Sequence, residues 1–108
     1  MKAIRASKSS GNVFKDLGVT NPEEALTKAS LAASIARALR RRKLTQKAAA
    51  QLLGIDQPRV SKLLRGHLKD YSIERLMLFL VRLGHDVEIS VHERGRAHHR
   101  GHLHVVAA

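Results

Sequence analysis

The sequence predicts an all-α fold: a bundle of about five helices built round a helix-turn-helix, with one β-strand at its C-terminal end. Three observations predict it. The stretch from Gln46 to Arg65, QKAAAQLLGIDQPRVSKLLR, places small, apolar and turn-forming residues where two crossing helices need them. Aromatic residues are scarce (one Tyr, two Phe, no Trp), so the core must be built from Leu, Ile, Val and Ala, which suits a helical bundle. After Gly84 the apolar residues change from helical spacing to strict alternation.

Composition bounds the possibilities further. A chain of 108 residues suits one domain with tails. With no cysteine it has neither disulfides nor thiolate metal ligands, which fits a reducing compartment. No apolar run approaches the ~20 residues of a membrane span, and the start MKAIRASKSSG has no apolar signal core. The expectation is a soluble, cytoplasmic, nucleoid-associated protein with no membrane partner. The net charge is +11 at pH 7, from 20 basic and 9 acidic residues. Arg37, Arg40, Arg41, Arg42, Lys43 and Lys47 form a run without an intervening acid, and Arg59, Lys62, Arg65 and Lys69 follow. Such charge beside a helix-turn-helix suits phosphate, because each neutralised phosphate releases counterions.

Taken in order, residues 1–12 are basic and Ser-rich and read as a mobile arm. Val13–Gly18 can form one helical turn, with Phe14 and Leu17 docked on the body. Asn21-Pro22-Glu23-Glu24 then starts a helix: a capping residue, proline in the first turn and acids at the positive dipole end. This helix runs to about Arg42, with Leu31, Ile35, Ala38 and Leu39 on one face. Thr45 caps a helix over 46–53. In it Ala50 permits a close helix crossing, and Gly54 lets the chain reverse without a Cβ penalty. Asp56 caps the next helix, 57–64, and Gly66 closes it. Ala49, Leu53, Ile55, Val60 and Leu63 pack the two together, with Leu64 also directed inward. Ser72 caps a last helix, 73–83, whose Ile73, Leu76, Met77, Leu80 and Leu83 face the core.

Residues 85–92, HDVEISVH, alternate with Val87, Ile89 and Val91 on one face and read as a strand. A lone strand leaves its backbone groups unpaired. No second strand is evident in the chain, so the expected partner is a copy of the same strand across a two-fold homodimer. Residues 93–108 form an Arg/His/Gly-rich tail, read as mobile. The division is thus 1–12 arm, 13–84 helix-turn-helix domain, 85–92 dimerisation strand and 93–108 tail.

The motif nominates DNA contacts. In the second motif helix Gln57, Pro58, Arg59, Ser61 and Lys62 lie toward the end that enters the major groove. Gln57 can pair bidentately with adenine and Arg59 with guanine O6 and N7. Pro58 offers apolar contact, while Ser61 and Lys62 can reach bases or backbone. Thr45, Gln46 and Lys47 open the first motif helix, where amide donors suit phosphate. Arg65, Lys43 and Lys69 are further phosphate candidates. One motif provides few base contacts, so a dimer on a palindromic double-stranded operator, with half-sites ~34 Å apart, is expected.

The runs Leu44-Thr45-Gln46, Leu52 to Ser61 and Leu64-Arg65-Gly66 resemble the Xre/Cro (lambda repressor-like) helix-turn-helix domains. Ser10 to Gly18 followed by Asn21 to Ala25, and Ile73 to Leu76 leading to Leu83–Ile89, are similar to a subgroup of small Xre-type antitoxins. The resemblance covers about residues 9–91; the extension after Val91 lies outside it. It implies a repressor that acts as the antitoxin of a type II toxin–antitoxin pair. Such a protein neutralises a small RNA-cleaving toxin of the RelE/HigB type and controls its own operon as a dimer. In that family the DNA-facing positions match Gln46, Gln57, Pro58, Arg59, Ser61 and Lys62.

Two other readings compete: an Xre-type regulator without a toxin partner, and a protein-interaction module with weak DNA binding. An enzyme is not expected, since the chain has no HExxH, no phosphate-cradling glycine loop and no catalytic triad spacing. No cofactor is expected. His92, His98, His99, His102 and His104 invite a metal, yet their spacing matches no structural site.

Overall fold

A computed structural model describes residues 21–95 and 100–107. Among these are four helices: α1 (Pro22–Arg41), α2 (Gln46–Leu53), α3 (Gln57–Leu64) and α4 (Ile73–Arg82). The arm over 1–12 and the helical turn expected over Val13–Gly18 lie outside the described residues. The expected five helices are therefore four among the described residues.

Each helix starts where a side-chain oxygen replaces a missing backbone acceptor. Asn21 Oδ1 accepts from the amides of Glu23 (2.9 Å) and Glu24 (3.3 Å). Thr45, Asp56 and Ser72 accept from Ala48, Arg59 and Arg75 at 3.0, 2.9 and 3.0 Å. Three helices end in paired reverse bonds of the Schellman type. At α4, the His85 amide donates to Leu80 O and that of Gly84 to Val81 O, with Gly84 at φ +86°. At α1 the same geometry puts Lys43 in the left-handed position, φ +54°. A lysine there has a Cβ crowding that costs ~1–2 kcal/mol, against ~0.5–1 kcal/mol of extra chain entropy lost by glycine. Lys43→Gly is therefore expected to raise the melting temperature by a few degrees, measured by circular dichroism.

Packing follows two pairs. α1 lies along α4 and α2 against α3; the pairs join where α1 meets α3 and α2 meets α4. Leu31, Ile35, Ala38 and Leu39 of α1 are buried, as their spacing predicts. So are Ala49, Leu53, Ile55, Val60 and Leu63 of the motif. Leu64 is not: at 39% exposure it sits beside the Val60–Leu63 stripe rather than on it. In α4, Leu76, Leu80 and Leu83 are buried, and Ile73 and Met77 are partly so. Phe79, one of the largest fully buried side chains, was not singled out by periodicity. It meets Tyr71 edge-on at a centroid distance of 5.6 Å, and the Arg75 guanidinium lies 5.6 Å from its ring.

Residues 85–95 are neither helix nor strand, and no strand ladder occurs among the described residues. The strand expected over 85–92 therefore does not form within this chain, because a strand needs a neighbour to complete its hydrogen bonds. Val87 packs on the core, while Ile89 and Val91 are 75% and 90% exposed. The tail also departs from expectation. Its described part, residues 100–107, does not stand free of the domain. Arg100 Nη2 lies 3.7 Å and His102 Nδ1 3.0 Å from the Glu23 carboxylate, and Val105 packs against the core. A hydrogen bond from the Leu103 backbone, then one from His102, holds the Glu23 carboxyl below its usual range, with Arg100 adding to the effect. Because that pKa is lowered on docking, this contact's contribution to docking is present above the ordinary carboxylate value and is lost as pH falls through the lowered one. Acidification below pH 4.5, the ordinary value, is expected to loosen the tail at Glu23. Val105 methyl shifts in NMR would report it.

Candidate nucleic-acid interface

The two short helices α2 and α3 are set at a fixed angle by the turn between them. Gly54 ends α2 at φ +75°, and its amide donates to Ala50 O at 2.8 Å; the Ile55 amide reaches the same carbonyl at 3.1 Å. Leu53 O, left without a helical donor, accepts from Arg82 Nη1 at 2.7 Å. A Cβ on Gly54 would stand 3.0 Å from that nitrogen. Glycine is thus favoured by backbone sign, and a side chain there would also press on the arginine that closes the helix end. Arg42 Nη1 in turn donates to Leu83 O at 3.2 Å, so two arginines tie the C-terminal end of α4 to those of α1 and α2. Each guanidinium also places positive charge at the negative end of a helix dipole.

Neither arginine was assigned this role from sequence. Arg42 belongs to the basic run, and Arg82 carries no motif. Only their partners, 41 and 29 residues away along the chain, reveal it. Arg82→Met keeps the alkyl stem but removes the donor. It is expected to cost ~1.5–3 kcal/mol, the range for a hydrogen bond to a charged group. Urea unfolding would show a lowered midpoint with an unchanged slope.

The turn leaves the first turns of α2 and α3 open to solvent. Thr45, Gln46, Lys47, Gln57, Pro58, Arg59, Lys62 and Arg65 are exposed, and Ser61 is half-buried. Thr45 also caps α2, so its hydroxyl oxygen is engaged with Ala48 while its hydrogen stays available. On α3 the buried Val60 and Leu63 define the inner side. At 100° per residue Pro58, Lys62 and Arg65 lie on the opposite side, with Gln57 and Arg59 at its two margins. Arg59 Nε sits 4.0 Å from Asp56 Oδ2, both side chains mostly exposed. The hydroxyl of Tyr71, a largely buried residue, lies within the field of these groups. Burial pushes its pKa up, Arg59 and Arg75 pull it down, and Asp70 and Asp56 add to the rise.

Charge surrounds this face. Arg37, Arg40, Arg41, Arg42, Lys43, Lys47, Arg59, Lys62, Arg65 and Lys69 are all exposed. Among the described residues, Arg59 alone of these ten pairs with an acid. Among the described residues no three His, Asp or Glu side chains converge as a metal site would need. No described helix is long and apolar enough to cross a membrane.

Comparison with known proteins agrees with this geometry. A family model described as a helix-turn-helix domain matches residues 13–92. A solved structure described as an XRE-family transcriptional regulator is 43% identical, with a TM-score of 0.73; the match covers 80% of this chain and 97% of that one. No curated protein matches at a significant level. The motif read from Gln46 to Arg65, the capped helix pair that it forms and a family match over most of the chain together show that this chain belongs to the Xre-type helix-turn-helix domain family.

Proposed function

We propose that the chain is a sequence-specific DNA-binding transcriptional repressor that places α3 in the major groove of a palindromic operator. The observation that carries this reading is the exposed first turn of α3, with Gln57, Pro58 and Arg59 standing clear of a core made by Val60 and Leu63. Thr45, Gln46 and Lys47 at the start of α2 and Arg65 at the end of α3 take phosphates on either side. Ser61 and Lys62 extend the reading surface by one turn. The XRE-family name of the similar solved structure supports transcriptional regulation. Lys43 supports it too: a lysine held where glycine would be more stable fits selection for charge beside α2.

The repressor acts as a homodimer in which residues 85–92 pair with their copy. The exposed Ile89 and Val91 favour such pairing, since a partner strand would cover them and complete the backbone bonds. The likeness of Ser10–Gly18 with Asn21–Ala25, and of Ile73–Leu76 with Leu83–Ile89, to small antitoxins supports a further role, neutralising a RelE/HigB-like RNA-cleaving toxin. In that role the chain would repress its own operon.

Selection of duplexes from a randomised pool tests the core of the proposal. A palindromic consensus, bound ~10³-fold or more tightly than scrambled DNA at physiological salt, is the expected result. Equal binding to all duplexes with a steep salt slope would reject it and favour the interaction-module reading. Co-expression with the gene product encoded beside it tests the antitoxin role. A stable complex that restores growth is expected; a neighbour without toxicity leaves a plain regulator.

A further inference from the structure

The four helix starts among the described residues use four capping residues, and three of them are neutral: Asn21, Thr45 and Ser72. The one charged cap, Asp56, sits at the tip of α3, where the reading above brings a polyanion closest. Asn or Ser would cap that helix about as well as Asp. The carboxylate therefore adds something that capping does not require, at a place where negative charge weakens attraction to phosphate.

Its geometry shows what it adds. Oδ1 accepts the Arg59 amide at 2.9 Å, which locks the carboxylate in one orientation. Oδ2 is then presented to the Nε edge of the Arg59 guanidinium at 4.0 Å. A guanidinium has five donors in a flat fork. Restraint at Nε leaves the edge formed by the two terminal nitrogens free, and that edge pairs with guanine O6 and N7. In the free protein both groups are mostly exposed, so the pair contributes little to folding. Once the groove excludes water, the same restraint acts in a lower dielectric and strengthens.

We propose that Asp56 is a positioning residue for sequence discrimination. It holds Arg59 in the guanine-reading orientation and, by repelling phosphates, lowers affinity for DNA in which Arg59 finds no guanine. This rests on the DNA-reading assignment of α3 made above. The device combines an attractive element for the correct site with a repulsive one for all others.

The test uses the full chain, a duplex selected by the wild-type protein from a randomised pool and a scrambled duplex of equal composition. Asp56→Asn keeps the cap and removes the charge. It is expected to bind scrambled DNA more tightly and the selected duplex no better, so that the discrimination ratio falls about five- to tenfold, the lower end of the range set by one bidentate base contact. Repeating the selection with Asp56→Asn is expected to relax the consensus at one guanine per half-site. In an Arg59→Ala background, Asp56→Asn is expected to leave the ratio unchanged. If Asp56→Asn tightens binding to both duplexes in parallel, the carboxylate is only a charged cap and the proposal is overturned. An equal fall of the ratio in the Arg59→Ala background overturns it as well, because the effect then bypasses Arg59. A wild-type chain that selects no consensus rejects the DNA-reading assignment itself, and the proposal with it. Circular dichroism melting of each variant shows that α3 remains folded.

Discussion

Arg59→Ala is expected to lower affinity for a selected duplex by about 5- to 150-fold per half-site, the equivalent of the ~1–3 kcal/mol that a bidentate guanine contact contributes. On a two-fold operator the loss enters twice. Affinity for scrambled DNA falls much less, by about the share of one phosphate contact. The contrast is the informative part. Arg59 and Asp56 are both mostly exposed, so their pairing contributes little to folding, and removing Arg59 is expected to leave the core of Val60 and Leu63 intact. An effect on the ratio with no effect on thermal melting assigns the residue to recognition. Gln57→Ala, at the other margin of the same helix face, is the natural companion. Lys62→Ala, by contrast, shifts affinity for selected and scrambled duplexes together if its contact is to phosphate alone. Fluorescence anisotropy across a salt series separates these outcomes.

Phe79→Ala is expected to destabilise the domain by ~3–5 kcal/mol, a large part of the total stability of a protein this size. Phe79 is only 1% exposed. Truncation removes its apolar surface, leaves a cavity between α4 and its neighbours, and deletes the edge contact with Tyr71 at 5.6 Å. It also removes one of the two rings near the Arg75 guanidinium. Phe79→Leu, which refills most of the space, is expected to cost less. Urea unfolding monitored by circular dichroism measures both. DNA binding by the folded fraction of Phe79→Ala is expected to remain intact, because Phe79 lies on α4 and the proposed contacts lie on α2 and α3.

Local chemistry explains why so much of this architecture is legible in the chain. A cap, a proline in the first turn and a closing glycine each act within a few residues of where they stand, so the starts at Asn21, Thr45, Asp56 and Ser72 follow from sequence alone. The motif apolar set follows for the same reason, since helical spacing assigns Ala49, Leu53, Val60 and Leu63 to one side. Periodicity fails where it has nothing to contrast. Residues 76–81, LMLFLV, are apolar throughout, so spacing places Leu76 and Leu80 inward but does not single out Phe79; packing buries all three and leaves Leu78 and Val81 half exposed. Leu64 errs the other way, an apolar residue assigned inward that packing leaves out.

Short-range capping, spacing and turn chemistry are enough to place the four described helices, the helix-turn-helix family and the exposure of Gln57, Pro58, Arg59 and Lys62 on α3. Tertiary structure alone decided what joins distant segments. It set Arg82 on Leu53 O and Arg42 on Leu83 O, seated Phe79 against Tyr71, and brought Arg100, His102 and Leu103 to Glu23. It also left residues 85–95 without a strand partner among the described residues. Contacts between residues tens of positions apart arise only when the helices have packed, and no local pattern in the chain encodes which of its many arginines will meet an open helix end.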